Sequence, residues 1–328
     1  MNRFASRWIL ACVAVLTIAA ADVSPALANW LKVRDAAMTL RERGRSQEAY
    51  ALVAQAGVGT VAHEVDRSFI SGFLALRVLG RQDLALAHFK NMAVMTARLR
   101  PSEDPAGHRA MAGYWLGRTL QVMGQADEAK TLYTTAAMYR NTFYGLLAAS
   151  QAGLSDTRAA IAPAAPAYPR PQLFWHDPRM NTELVLAIIK TESNFRTTAV
   201  SSAGALGDMQ LMPGTVKAIS RKTGVPLDPR MVASNRNYNV AVGSHHFADL
   251  LAKYAGNVTL AAAAYNAGSG ASDDWITRFG DPRTNTVDIV DWIELIPFRE
   301  TRGYVKKVVA NYVAYLSTGT SSVTASAR

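Results

Sequence analysis

The chain has 328 residues, 49% of them hydrophobic, with 35 Lys plus Arg against 25 Asp plus Glu and a single Cys. That apolar share is enough to build cores in two domains and excludes a disordered chain, while one cysteine excludes a disulfide framework within it. The formal charge of +10 favours a polyanionic partner.

The N-terminus carries Arg3 and Arg7, an apolar run from Trp8 to Ala21, and then Ala26-Leu27-Ala28. A basic start, a short apolar core and a small-x-small triplet read as a cleaved export signal over residues 1–28, with the mature chain starting at Asn29. The run is short for a membrane span, and no later stretch reaches roughly 18 uninterrupted apolar residues, so the mature chain has no integral span. Cys12 lies inside the signal. An exported chain rarely meets nucleic acid, so the expected partner is an anionic envelope polymer or a membrane surface.

Residues 29–156 read as a helical repeat domain, rich in Ala, Leu, Met and Arg. A pattern recurs in it: Gly44-Arg-Ser-Gln-Glu-Ala49, Gly80-Arg-Gln-Asp-Leu-Ala85 and Gly124-Gln-Ala-Asp-Glu-Ala129. Each glycine would end one helix, and each alanine five residues on would let the next pack closely. The spacing is near a helix-turn-helix period, and Leu116, Gly117, Gly124, Ala129, Tyr133 and Ala136 fall at the offsets of a tetratricopeptide-type repeat. A short superhelical stack follows, whose concave face would bind an envelope protein partner or buttress the next domain.

Pro163, Pro166, Pro169 and Pro171 make residues 157–172 a stiff Ala/Pro-rich linker. Residues 173–317 form a second helical domain. Asp177-Pro178 and Asn181-Thr182 both offer helix starts, and helices are expected from there to Glu192, over Pro213–Lys222, Tyr238–Tyr254, Val258–Tyr265 and Gly303–Leu316. Strand patterns are nearly absent, so the fold class is all-α. The tail, 318–328, is small and polar and reads as disordered.

One residue invites chemistry. Leu184, Val185, Ile188 and Ile189 recur at i, i+3, i+4 spacing, and Glu192 continues the same face. A carboxylate pointing where apolar residues point has its pKa raised by burial, which suits a proton donor at neutral pH; a helix-terminal Glu reaching to water is the bland alternative. His245 and His246 are adjacent and cannot readily share an ion, and the motifs of zinc, calcium and serine-triad sites are missing, so no metal and no cofactor are expected.

After Glu192-Ser193 come Gly204-Ala-Leu-Gly207 and Met209-Gln-Leu-Met-Pro-Gly-Thr215, then Ala264-Tyr-Asn-Ala-Gly268 and Glu294-Leu-Ile-Pro-Phe-Arg-Glu-Thr-Arg-Gly-Tyr-Val305. In order and spacing these blocks resemble the soluble lytic murein transglycosylases, which have a goose-type-lysozyme-like catalytic domain. The resemblance covers about Phe174 to Tyr315, and Trp115 to Ala149 is similar to the helical segment preceding that domain. It implies a periplasmic enzyme that cleaves peptidoglycan glycan strands between N-acetylmuramic acid and N-acetylglucosamine without water, leaving 1,6-anhydro ends.

Under that resemblance Glu192 is the catalytic acid and then the base. Ser193 caps or orients the carboxyl, and Ser201, Gln210, Met212, Tyr265, Glu294 and Tyr304 line the groove, Tyr265 and Tyr304 with a core role as the alternative. Asn266 supports the turn before Gly268, and Glu300 and Arg302 pair with each other or with backbone. Asp208 stands where the family has an apolar residue and would alter the charge of the groove or, if close, raise Glu192 further. Ser269 and His246-Phe247 also depart from the family pattern. A muramidase of the same fold and a non-catalytic wall-binding scaffold are the alternatives.

Overall fold

The structure, a computed structural model, describes residues 25–154, 168–224 and 228–319. They fall into two compact units, one in the N-terminal half and one from residue 168 onward. Both are helical, and among the described residues the only β features are two isolated bridges, Val200 with Leu206 and Leu206 with Leu211. The expected signal up to residue 24, the proline-rich linker up to residue 167 and the tail beyond residue 319 lie outside the described residues.

The first unit is built of α1 (Pro25–Glu42), α2 (Ser46–Ala54), α3 (Val61–Phe73), α4 (Gln82–Thr96), α5 (Pro105–Val122), α6 (Ala126–Ala136) and α7 (Phe143–Gln151). Hairpins form where the glycine pattern recurs. Gly44 and Gly124 have left-handed φ of 75° and 80°, and the next residue's amide reaches five residues back, Arg45 to the Leu40 carbonyl and Gln125 to Leu120, both at 2.9 Å. This is the Schellman closure of a helix C-terminus. At Gly80 a π-helical turn, Leu74–Val78, extends α3, so Arg81 reaches back six residues to Ala75.

Ala49, Ala85 and Ala129 are buried, and α1 packs on α2, α3 on α4, and α5 on α6. Small residues permit this closeness. Gly72 faces the Phe89 ring and Gly117 faces the Tyr133 ring, each without room for a Cβ. Around Trp115 the rings of Phe69, Phe73, Phe89 and Tyr114 gather with centroids 5.5 to 5.9 Å away, which makes an aromatic core for the stack.

The second unit comprises α8 (Thr182–Glu192), α9 (Pro213–Thr223), α10 (Pro229–Ser234), α11 (Arg236–Lys253), α12 (Val258–Ala267), α13 (Ser269–Phe279), α14 (Ile289–Leu295) and α15 (Arg299–Gly319). α8 starts at Asn181, whose side chain accepts from the Leu184 amide at 2.9 Å, an N-cap. Asp177 does not cap it: it accepts from Arg179 and His245, and Arg179 and Lys222 share Asp249, tying the approach to α8 onto α9 and α11.

Every residue of α8 from Leu184 to Ile189 is buried. Sequence spacing shows one apolar face, but Leu186 and Ala187 pack on the other side, against Tyr315 of α15. A helix buried all round is a core helix; α15 packs along it and also against α12. α15 starts before and ends after the expected 303–316. α10, α13 and α14 are additional to the expected helices.

Gly117→Ala places a methyl 2.6 Å from the Tyr133 ring, whose hydroxyl is held by Gln121 at 3.0 Å. The expected cost is about 1–3 kcal/mol. Thermal and urea unfolding should show this loss, with little change for Gly57→Ala, which has open space and no left-handed φ.

Candidate active site

Glu192 is the last residue of α8, three residues beyond its buried stretch; the residue as a whole is half-buried, and its carboxyl is the part kept from water. Burial pushes its carboxyl up to about 8, the neighbouring Tyr304 hydroxyl pulls it down in part, and the charge of Glu300 raises it. The C-terminal end of a helix also disfavours an anion. Asp208, the sequence candidate for raising Glu192, acts elsewhere: it is fully buried and paired with Arg236 at 3.0 Å.

The chain then reverses. Ser193 is buried and its hydroxyl donates back to the Ile189 carbonyl at 3.3 Å, the helix-end role, while its own carbonyl accepts from Arg196. Asn194 and Phe195 follow with φ of 49° and 65°, left-handed conformations that non-glycine residues hold only when their surroundings enforce them.

Downstream, the glycine turn folds on itself. Leu206 and Leu211 exchange both backbone hydrogen bonds, at 3.0 and 2.9 Å, and the Gly207 amide donates to Ala199. Ser201 accepts from the Ala205 amide, and the Gln210 side chain, at a residue with φ 48°, donates to the Ala199 and Gly207 carbonyls. Ser201 and Gln210 thus hold backbone together. Met212 is 42% exposed at the start of α9.

α11 clamps this turn. Asn239 is fully buried, accepts from the Met209 amide at 2.8 Å and donates to the Leu206 and Val232 carbonyls. All its polar atoms are engaged. A Cβ on Gly207, itself at φ 75°, would come within 2.2 Å of the Asn239 amide, and one on Gly243 within 2.6 Å of the Met209 sulfur. These glycines let α11 and the turn touch.

From α12, Tyr265 donates its hydroxyl to the Met209 carbonyl at 2.8 Å, while its ring lies 5.4 Å from both His246 and Phe247. Its neighbour Asn266 accepts from Thr301 of α15 at 2.6 Å. Tyr304 is buried on α15, and its hydroxyl lies close enough to the Glu192 carboxyl to favour the charged form of that acid. Burial and then the charge of Glu192 push both tyrosines well above the usual range.

Glu294 is buried and ion-paired with Lys306. The Arg302 guanidinium donates to the Ile296 and Pro297 carbonyls, so its role is backbone support. Glu300 is exposed, one helical turn before Tyr304.

The structure therefore brings Glu192, Tyr265 and Tyr304 together, with Ser193, Ser201, Gln210 and Asn266 engaged in holding the surrounding turns. Sequence reasoning missed Arg236, Asn239 and Gly243, which face the glycine turn; their i, i+3, i+7 spacing is the one signal that marked them. Among the described residues no group of three His, Cys, Asp or Glu is placed to hold a metal ion, and no helix is long and apolar enough to cross a membrane.

Residues 176–287 match the family described as Transglycosylase SLT domain, and residues 295–318, on α15 and its approach, match the Soluble lytic transglycosylase helical domain. This unit is homologous to the soluble lytic murein transglycosylases.

Among individual relatives, the soluble lytic murein transglycosylases of Salmonella typhimurium and Escherichia coli K12 are 37% and 34% identical over 138 residues. Each alignment covers 40% of this chain and 20% of the relative, so the match spans about a fifth of the relatives' length. An inactive Glu-to-Gln mutant of lytic transglycosylase Slt from Pseudomonas aeruginosa has a similar fold, with a TM-score of 0.63 at 25% identity, covering 86% of this chain and 56% of that one.

An unfolded glutamate loses its proton near 4.5, whereas Glu192 keeps it to about 8. Between those values the native state holds a proton the unfolded state has lost, so this group makes stability fall as pH rises through the window and level off above it. Glu192→Gln should remove that slope and gain of order a few kcal/mol over wild type at pH 8 relative to pH 4, read from denaturant midpoints across pH. Tyr304→Phe should raise the Glu192 titration further, because it removes the hydroxyl that favours the charged carboxylate.

Proposed function

We propose that the chain is a peptidoglycan lytic transglycosylase, with Glu192 as its acid and then its base. The observation that carries this reading is the buried Glu192 carboxyl, which holds its proton to about 8 beside two tyrosine hydroxyls. A group poised near the working pH serves both halves of an acid–base cycle.

Glycosidases commonly flank the bond with two carboxylates. The other acids of the motif blocks are otherwise engaged or exposed: Glu294 with Lys306, Asp208 with Arg236, and Glu300 on the surface. In this reading the substrate supplies the second group. Glu192 protonates the oxygen between N-acetylmuramic acid and N-acetylglucosamine, and the 2-acetamido oxygen of the muramic acid stabilises the cationic centre. Glu192, now a carboxylate, takes the C6 hydroxyl proton as that oxygen attacks C1. The 1,6-anhydro ring closes and no water is consumed.

Met212, exposed at the head of α9, is the groove residue free to touch the glycan, and the backbone around Gly204 is open for close approach. Ser193, Ser201, Gln210, Asn266 and Glu294 act by holding the turns that shape the groove. Residues 1–28 are proposed as an export signal, placing the enzyme in the periplasm with its substrate, and residues 173–317 as the catalytic domain.

Digestion of purified sacculi, with products identified by mass, tests the assignment. Wild type should release 1,6-anhydro ends at a rate that falls above about pH 8, as Glu192 loses the proton needed for the first step. Glu192→Gln should lower that rate by about 10²–10⁴-fold. Reducing ends from the wild type would instead establish a muramidase, and an undiminished Glu192→Gln variant would remove Glu192 from the chemistry.

A further inference from the structure

α11 begins with Arg236, whose guanidinium reaches two separate turns. Its Nε lies 3.0 Å from Asp208 Oδ1 on the glycine turn, and its Nη2 donates to the Phe195 carbonyl at 2.9 Å. Phe195 closes the reversal that starts at Glu192, three residues earlier, and both Asn194 and Phe195 are left-handed. One side chain therefore bridges the end of the Glu192 helix and the turn that lies over Asn239.

Stability does not account for this pair. Asp208 is fully buried, and its second oxygen has no hydrogen-bond partner among the described residues, a desolvation cost that an apolar residue avoids. Arg236 puts a cation in the first turn of an 18-residue helix, where the helix dipole disfavours it. What the pair does supply is direction. With Nε held by Asp208, the planar guanidinium aims Nη2 at the Phe195 carbonyl, a fork that a lysine cannot reproduce.

We propose that Arg236, oriented by Asp208, is a positioning residue for the acid: it locks the left-handed reversal after Glu192 to the glycine turn and so fixes where the Glu192 carboxyl points. The inference rests on the reading of Glu192 as the acid. Asp208 and Arg236 act as one unit, and neither touches the substrate. A carboxyl displaced by about an ångström loses rate steeply while the groove still binds.

The test uses the full chain and soluble, uncrosslinked glycan strands, with kcat, KM and melting temperature measured for Arg236→Met, Arg236→Lys, Asp208→Leu and the double variant Asp208→Leu/Arg236→Met. Arg236→Met should lower kcat by about 10- to 100-fold with KM within about 2-fold of wild type. Arg236→Lys should fail to restore it. The double variant, with no buried charge left, should recover the melting temperature but not kcat, which a purely structural role would not produce.

Should Arg236→Met fail to fold, the double variant carries the test alone. Wild-type kcat in the double variant, or a loss of kcat that tracks melting temperature across the set, would overturn the proposal. Glu192→Gln in the same assay separates the two claims. If it is inactive while the double variant is fully active, only the positioning role falls; if it is fully active, the acid assignment falls and takes this inference with it.

Discussion

A carboxyl must be kept out of water at one end of a core helix, and much of the second unit follows from that. Six consecutive buried residues, Leu184 to Ile189, carry α8 through the interior, so its last residue arrives where the charged form of an acid is disfavoured. Burial raises Glu192, and Tyr304 and Glu300 then act in opposite directions. A charge buried without compensation costs several kcal/mol in a real protein, and keeping the proton avoids that cost near neutrality. The same avoidance makes the residue a proton donor.

Such a site needs walls that do not move. The turns on both sides of the acid contain left-handed non-glycine residues, Asn194, Phe195 and Gln210, which a free loop would not hold. α11 supplies the restraint through Arg236 and Asn239, which each hydrogen-bond backbone atoms of these turns, and through Gly243, which admits Met209. From the other side, Tyr265 closes on the Met209 carbonyl and Asn266 on Thr301. The polar residues of the motif blocks thus serve mainly to make irregular backbone rigid around Glu192.

Local chemistry was readable from the chain. The hairpins of the first unit follow from glycines that close helices and alanines that let the next ones approach, and both effects are set within a few residues. The Asn181 cap and the apolar spacing that leads to Glu192 are local too. Contacts that depend on the assembled fold were not readable. Leu186 and Ala187 look like the solvent side of α8 until Tyr315 covers them. α13 begins with Ser269-Gly270, which reads as loop, and α14 is short. The sequence reads Ser193 as a helix cap or an orienter of the carboxyl, and the resemblance puts Ser201 and Gln210 on the glycan; in the folded turns all three side chains bond backbone atoms. Asp208 looked like a neighbour of Glu192, and only the fold shows Arg236, 28 residues away, taking its charge.

Burial at the end of α8 keeps the Glu192 carboxyl protonated near neutral pH. A titration of the glutamate side-chain carboxyl carbons by NMR, with the Glu192 signal assigned by its loss in Glu192→Gln, measures this directly. The expected midpoint is about 8. A midpoint at the ordinary glutamate value, about 4.3, would contradict it.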